Sequence, residues 1–230
     1  VTRLVIGDGY AAYEGPSTDN SLHRHAAFQV TAAVEGEVVV LDEHGTAHRG
    51  AALIIPPMMR HRMPGAPVVR IWFVEPQCSF ASGLRERCGA GITPAADLRG
   101  LREEDVRPAG PPQSSGAPSP RLRAAMEALA AGGNLPISRA AEAAGLSPQR
   151  LRALARLHLG MPLARWRIWR RLTHAAHALA EGRSIAEAAL DDGFADQAHF
   201  HRQLRDMLGL TPGTVLPLLR ASAASGVEDA

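Results

Sequence analysis

Two histidines one residue apart, His23 and His25, stand with Gln29 in the stretch SLHRHAAFQV at positions 21–30. On an extended strand residues i and i+2 project to the same face, so this pair offers two imidazoles side by side. Imidazoles so arranged suit a divalent metal, the wall of a ligand pocket, or a hydrogen-bonded strand face, and the residue types leave all three open. A second chemistry is written in the C-terminal half. There Gln149, Arg150, Arg152 and Arg156 recur in kind as Gln197, His201, Arg202 and Arg205. Glutamine and arginine pair bidentately with adenine and guanine edges, and further arginines bind phosphates.

The charge distribution agrees with this second chemistry. Every basic residue other than histidine is an arginine; positions 121–220 hold 14 of them against 8 acids, and positions 1–110 hold 11 against 13. A polyanion would therefore meet the C-terminal half. Cys78 and Cys88 are too few for a disulfide framework and lack zinc-knuckle spacing, so they are expected to be ordinary thiols. No apolar run is long enough for a membrane span, and the N-terminus lacks the basic-then-apolar order of a signal peptide. A cytoplasmic protein without a membrane partner is the expectation.

These side chains need two different scaffolds. Short β-rich runs, FQVTAAV, EVVVLDE, ALIIP and VVRIWFVEP, alternate with turns such as Glu35-Gly36 and His44-Gly45, the pattern of a small antiparallel sandwich or barrel. From Ser79 to Asp105 the pattern turns helical, and the stretch from Phe80 to Asp105 is a candidate dimer contact. The segment RPAGPPQSSGAPSP has no periodicity and predicts a linker. Beyond it, Ala, Leu and Arg dominate at helical spacing. The chain thus divides into residues 1–106, a linker at 107–120, a helical domain at 121–220, and a flexible tail at 221–230.

The helical domain repeats itself. Ala141 and Gly145 recur 48 residues later as Ala189 and Gly193, while Ser147, Leu151 and Gly160 recur 49 later as Asp196, Phe200 and Gly209. Each copy predicts a small-residue helix ending at a glycine, a capping Ser or Asp, and a second helix ending at another glycine. That is a helix-turn-helix, twice. Between the copies LARWRIWRRLTHAAHALAEG puts Trp166, Trp169, Leu172, Ala176 and Leu179 on one side, with both tryptophans expected in the core. Its roughly 18 helical residues span about 27 Å. That length is near the 34 Å repeat of B-DNA, so a rigid connector would seat two recognition helices in successive major grooves.

The doubled unit resembles the AraC/XylS transcription regulators. The resemblance covers about 100 residues and rests above all on Gly193-Phe194, Asp196-Gln197, Phe200, Arg202, Gly209 and Pro212. It implies double-stranded DNA as partner, with base-reading positions at Gln149, Arg152 and Ala153 and at Gln197, Ala198, His201 and Arg202. Arg150, Arg156 and Arg205 join them on the exposed faces. Ala155 departs from the family's large aromatic, and Leu204 from its frequent Phe. The N-terminal half is similar to a cupin, the small β-barrel that senses effectors in this family. His23-x-His25, Gln29 in place of Glu and Gly36 match one cupin motif; Gly50, Pro56 and His61 match the other, with Met58 replacing a glycine. The resemblance implies His23, His25, Gln29 and His61 as the site of a divalent metal, Zn or Ni, or of a small organic effector in a metal-free pocket.

The fold expected is α+β in two domains: a cupin-like β-barrel followed by an all-α domain with two helix-turn-helix motifs. The function expected is a DNA-binding regulator controlled by ligand or metal, a homodimer, meeting RNA polymerase if it activates, and no enzyme. A constitutive DNA binder whose cupin only dimerises is one alternative. A metal-dependent cupin enzyme is the other.

Overall fold

The computed structural model describes residues 2–89, 91–107, 118–131 and 134–225, with side chains to residue 220. Its first part is built from nine strands among the described residues: β1 (Arg3–Gly7), β2 (Tyr10–Ser17), β3 (Phe28–Ala33), β4 (Val38–Asp42), β5 (Ala47–Gly50), β6 (Ala52–Ile55), β7 (His61–Arg62), β8 (Ala66–Val74) and β9 (Thr93–Pro94). Strand pairing divides the expected barrel into two antiparallel sheets, β1-β2-β8-β3-β6-β9 and β5-β4-β7. Period-two alternation decides what each face buries. Ala33, Leu53, Ile55 and Val69 of the large sheet meet Val38 and Val40 of the small one. On the opposite face Phe28, Val30 and Trp72 pack under α1 (Ser79–Cys88) through Ala81 and Leu84. Gln29 and Ile55 are register partners, which turns Gln29 inward beside Met63.

The helical stretch expected from Ser79 to Asp105 is interrupted. After α1 the chain reaches Gly89 at φ 50°, then β9, a 3-10 turn at Ala96–Gly100, and α2 (Glu103–Val106). Gly89, Gly91 and Pro94 break the helical pattern, and β9 finds a free edge of β6. The expected linker lies mostly at 108–117, outside the described residues.

Helices then follow without a strand among the described residues: α3 (Pro120–Ala131), α4 (Ile137–Ala143), α5 (Pro148–Leu159), α6 (Leu163–Ala180), α7 (Ile185–Asp191), α8 (Gln197–Leu208) and α9 (Pro212–Ser225). The repeated caps act as their residue types dictate. Ser147 accepts from the Arg150 amide and Asp196 from the His199 amide, while Gly160 and Gly209 close α5 and α8 in the left-handed conformation. Trp166, Trp169, Leu172 and Leu179 of α6 are buried at the centre of the bundle. The stretch read as a tail from residue 221 is corrected in part, because α9 continues to Ser225.

The two halves share a core. Ala26 and Ala27, at 0% and 1% exposure, belong to the helical cluster, and Leu4, Ile6, Met58 and Phe73 pack against it. Arg85 of α1 donates to the carbonyl of His158 at 2.8 Å, near the end of α5. Arg170 of α6 reaches Glu75, which is 2% exposed, at 3.2 Å. Removing one member of a buried pair strands the other. Arg170→Met should therefore lower the unfolding free energy by about 3 kcal/mol. Urea denaturation measures this; an unchanged midpoint and slope would mean that the pair holds nothing.

Candidate functional site

His23 and His61 exchange backbone hydrogen bonds at 3.0 and 2.9 Å, and the Met58 amide donates to the carbonyl of His25 at 2.8 Å. These bonds pin residues 21–25 beside β7 as a strap with a single bridge, in place of the full strand expected. Its two histidines still face one way. The rings of His23, His25 and His61 lie with centroids 4.5 to 5.0 Å apart. One ligand nitrogen from each lies within 4.8 Å of the others. All three rings, and Gln29 from β3, are buried. Met58 next to the strap adopts φ 67°, a left-handed backbone that glycine would take without strain.

The surroundings set which nitrogen of each ring is free. His23 Nδ1 lies 2.7 Å from the carbonyl of Ser21, and His61 Nδ1 lies 2.9 Å from that of Met59. A carbonyl holds a proton on the facing nitrogen, which leaves a lone pair on each Nε2. His23 Nε2 is 3.1 Å from His25 Nε2, and His61 Nε2 is 3.2 Å from Gln29 Oε1. The Gln29 amide donates to Met63 Sδ, so its oxygen faces a ring nitrogen that is itself an acceptor. Two facing acceptors repel unless a cation sits between them or the amide turns over. Metal–nitrogen bonds of about 2.0 to 2.1 Å put neighbouring ligand atoms about 3.3 Å apart, close to the observed 3.1 Å. The residues present thus fit a divalent metal.

Burial also keeps the rings uncharged. Loss of solvent pushes His23 down to about 4 and His61 to about 3, and His25 falls well below the ordinary histidine range. The neighbouring imidazoles add to this for His25 and His61, while the Ser21 and Met59 carbonyls partly offset it for His23 and His61. A neutral imidazole is the form that ligates metal.

A cavity of about 350 Å³ opens beside the cluster, between the sheets and the helices. His23, His25 and Gln29 form its polar end; Phe73, Trp169, Leu172, Phe200, Leu204 and Leu216 form much of the rest. Among the described residues its lining contains no arginine, aspartate or glutamate. Two buried nitrogens at this seam, His25 Nδ1 and Trp169 Nε1, have no hydrogen-bond partner. The strap meanwhile closes on α8. Ser21 donates to the carbonyl of Gly209 from both its amide and its hydroxyl, at 3.3 and 3.2 Å, and the Arg24 amide donates to that of Asp206. A Cβ on Gly209 would lie 2.7 Å from His23 Nδ1.

The second group of residues lies on the outer faces of α5 and α8. Gln149, Arg150, Arg152, Arg156, Gln197, Ala198, Arg202 and Arg205 are exposed, and His201 is half-buried with Gln197 Nε2 at 3.4 Å from its Nε2. The arginines sort by place. Arg165 pairs with Asp206, Arg167 donates to the carbonyl of Leu135, and Arg171 donates to that of Gly193, all bracing the bundle. Those of α5 and α8 make no ion pair with a described residue. The structure therefore holds the two candidate groups in separate places. The strap residues Ser21 and Arg24, and the apolar lining, were not marked by the sequence, although Ser21 lies two residues before His23.

Residues 140–217 match the family described as Helix-turn-helix domain. ToxT from Vibrio cholerae O395 is similar in fold, with a TM-score of 0.57 at 8% identity over 93% of this chain and 99% of that one. ToxT from strain SCE256, solved with a bound unsaturated fatty acid, gives 0.59 at 8% identity over 94% and 97%. An AraC-type DNA-binding protein from Chromobacterium violaceum is 25% identical over 44% of this chain and 93% of its own, with a TM-score of 0.42. No curated protein matches the chain.

The histidine cluster sets an acid limit. In the unfolded chain these rings take up protons as pH falls below about 6.5, whereas in the fold they stay neutral to lower pH. Their contribution is complete above about 6.5 and is lost as pH falls toward 4 and 3, each ring costing about 1.4 kcal/mol per pH unit. The Tm of chelator-treated protein should drop across that window, and less steeply in His61→Leu. Parallel profiles for the two would contradict the buried neutral cluster.

Proposed function

We propose that the chain is a transcription regulator whose helix-turn-helix domain at residues 140–217 is of the AraC type, and whose DNA binding is set by an effector held between its two halves. One observation carries this reading. The strap that presents His23 to the cluster also hydrogen-bonds the end of α8, so whatever reorders the cluster moves a recognition helix. The 18 residues of α6, about 27 Å long, join the two helix-turn-helix units. Arg150, Arg152 and Arg156 on one unit and Arg202 and Arg205 on the other have no internal ion pair to give up on meeting phosphates.

The effector occupies the interdomain cavity in this reading. The fatty acid held by the ToxT of similar fold supports an organic molecule there. A sensor half that served only to dimerise would need neither the cavity nor the strap contacts with Gly209 and Asp206.

Base reading and phosphate contact separate by mutation. Arg202→Ala should cost about 1 to 3 kcal/mol on the cognate site and relax preference at one position. Arg205→Ala should weaken all sequences alike and reduce the salt slope by about one. Titrations of cognate and random duplexes at several salt concentrations read both. Parent-like binding by both variants would remove α8 from the DNA interface.

Coupling is tested at the two helix-capping glycines. Gly160 and Gly209 share a left-handed φ, but a Cβ at Gly160 meets open space whereas one at Gly209 meets His23 and Ser21. Backbone strain is therefore matched between Gly160→Ala and Gly209→Ala. Only the second should abolish the effector's influence on DNA affinity; equal responses would mean that the strap transmits nothing.

A further inference from the structure

The sequence left a metal and an organic effector as alternatives, and the geometry makes them parts of one site. His23 and His25 belong with His61 to the metal-competent cluster, and they also line the largely apolar cavity, beside Gln29. We propose that the three histidines hold a divalent cation whose remaining coordination position faces the cavity, and that the ligand of this cavity is an apolar monocarboxylic acid whose carboxylate binds the cation. This rests on the reading of the cavity as the effector site.

Charge balance selects the acid. Three neutral imidazoles leave a divalent ion with its full charge in a buried setting, where uncompensated charge is costly. The usual compensation would be a carboxylate among the ligands. Here that place is taken by Gln29, which is neutral and 1% exposed. Among the described residues no Asp or Glu lines the cavity. Asp206 lies near enough to influence His23, but its side chain is 44% exposed and paired with Arg165. An anion must then come from outside the protein. The same accounting read from the ligand's side gives the same answer, since a carboxylate entering this cavity meets no arginine or lysine to neutralise it. The cation is the one source of positive charge that the described site can offer. The rest of the ligand is fixed by the walls, because Phe73, Leu172, Phe200, Leu204 and Leu216 present hydrocarbon. A volume of about 350 Å³ suits a single chain of modest length.

The test uses the full chain with Zn²⁺, decanoic acid and 1-decanol as probes. Calorimetry of chelator-treated protein should give one Zn²⁺ per chain, and His25→Ala should lose it. Quenching of tryptophan emission, with Trp169 in the cavity wall, should report decanoate bound at least tenfold more tightly to zinc-loaded than to zinc-free protein. Decanol should be indifferent to zinc. Gln29→Glu keeps the fold testable should His25→Ala not fold. It supplies the missing anion inside the shell, so it should bind zinc more tightly and lose the zinc-dependent preference for decanoate. Absence of stoichiometric zinc in folded wild type overturns the proposal, as does a decanoate affinity that zinc leaves unchanged or a decanol gain equal to that of decanoate. Retardation of a cognate duplex by ligand-free protein is scored separately. Its failure would overturn the regulator reading, whereas failure of the zinc and decanoate arms with DNA binding intact overturns only the ligand.

Discussion

A helix ends with carbonyls that its own amides cannot reach, and at the end of α8 those of Asp206 and Gly209 are met from the N-terminal half. Arg24 and Ser21 supply the donors. The arrangement depends on this contact more than on any other, because the same five-residue strap carries two of the three clustered histidines. His23 is tied on one side to Ser21, which touches Gly209, and on the other to His25, which faces the cavity. The cluster is thus joined through His23 and Ser21 to the end of the helix that bears Arg202 and Arg205.

Around this contact the structure divides its labour by burial. The interior of the seam is apolar and almost free of charge, so the imidazoles stay neutral and available as donors. The Arg170–Glu75 pair fastens the two halves at another point, and Arg85 does so at the end of α5. Both α5 and α8 are therefore held near their C-termini by the N-terminal half, α8 by the Ser21 and Arg24 amides and the Ser21 hydroxyl, and α5 by the Arg85 guanidinium. Their outer faces remain clear.

Much of this was legible in the sequence. The repeat from Ala141 to Gly209 announced its helices because caps, small crossing residues and positive-φ glycines obey local rules, and each appears where its type demands. His23, His25, Gln29 and His61 were legible through motif spacing, and they do converge. The N-terminal hairpin of β1 and β2 was not marked, since Tyr10–Ser17 mixes alanine, glycine and proline without clean alternation. The break of the helical stretch after Cys88 depended on β6 offering an edge to Thr93 and Pro94, a long-range pairing that no local pattern encodes. The cavity was invisible for a related reason. Leu172, Phe200 and Leu204 look like any core residues of a bundle, and only the docking of the two halves decides that space is left between them.

The exposed arginines carry a last consequence. The chain contains no lysine, so the cations that α5 and α8 turn outward are arginine guanidiniums, with no amine to acetylate. On the proposed reading of these helices as the DNA-facing surface, lysine acetylation cannot switch that surface. What that reading leaves adjustable is the spacing and tilt of two rows of guanidiniums, which would make the response it proposes a matter of mechanical alignment.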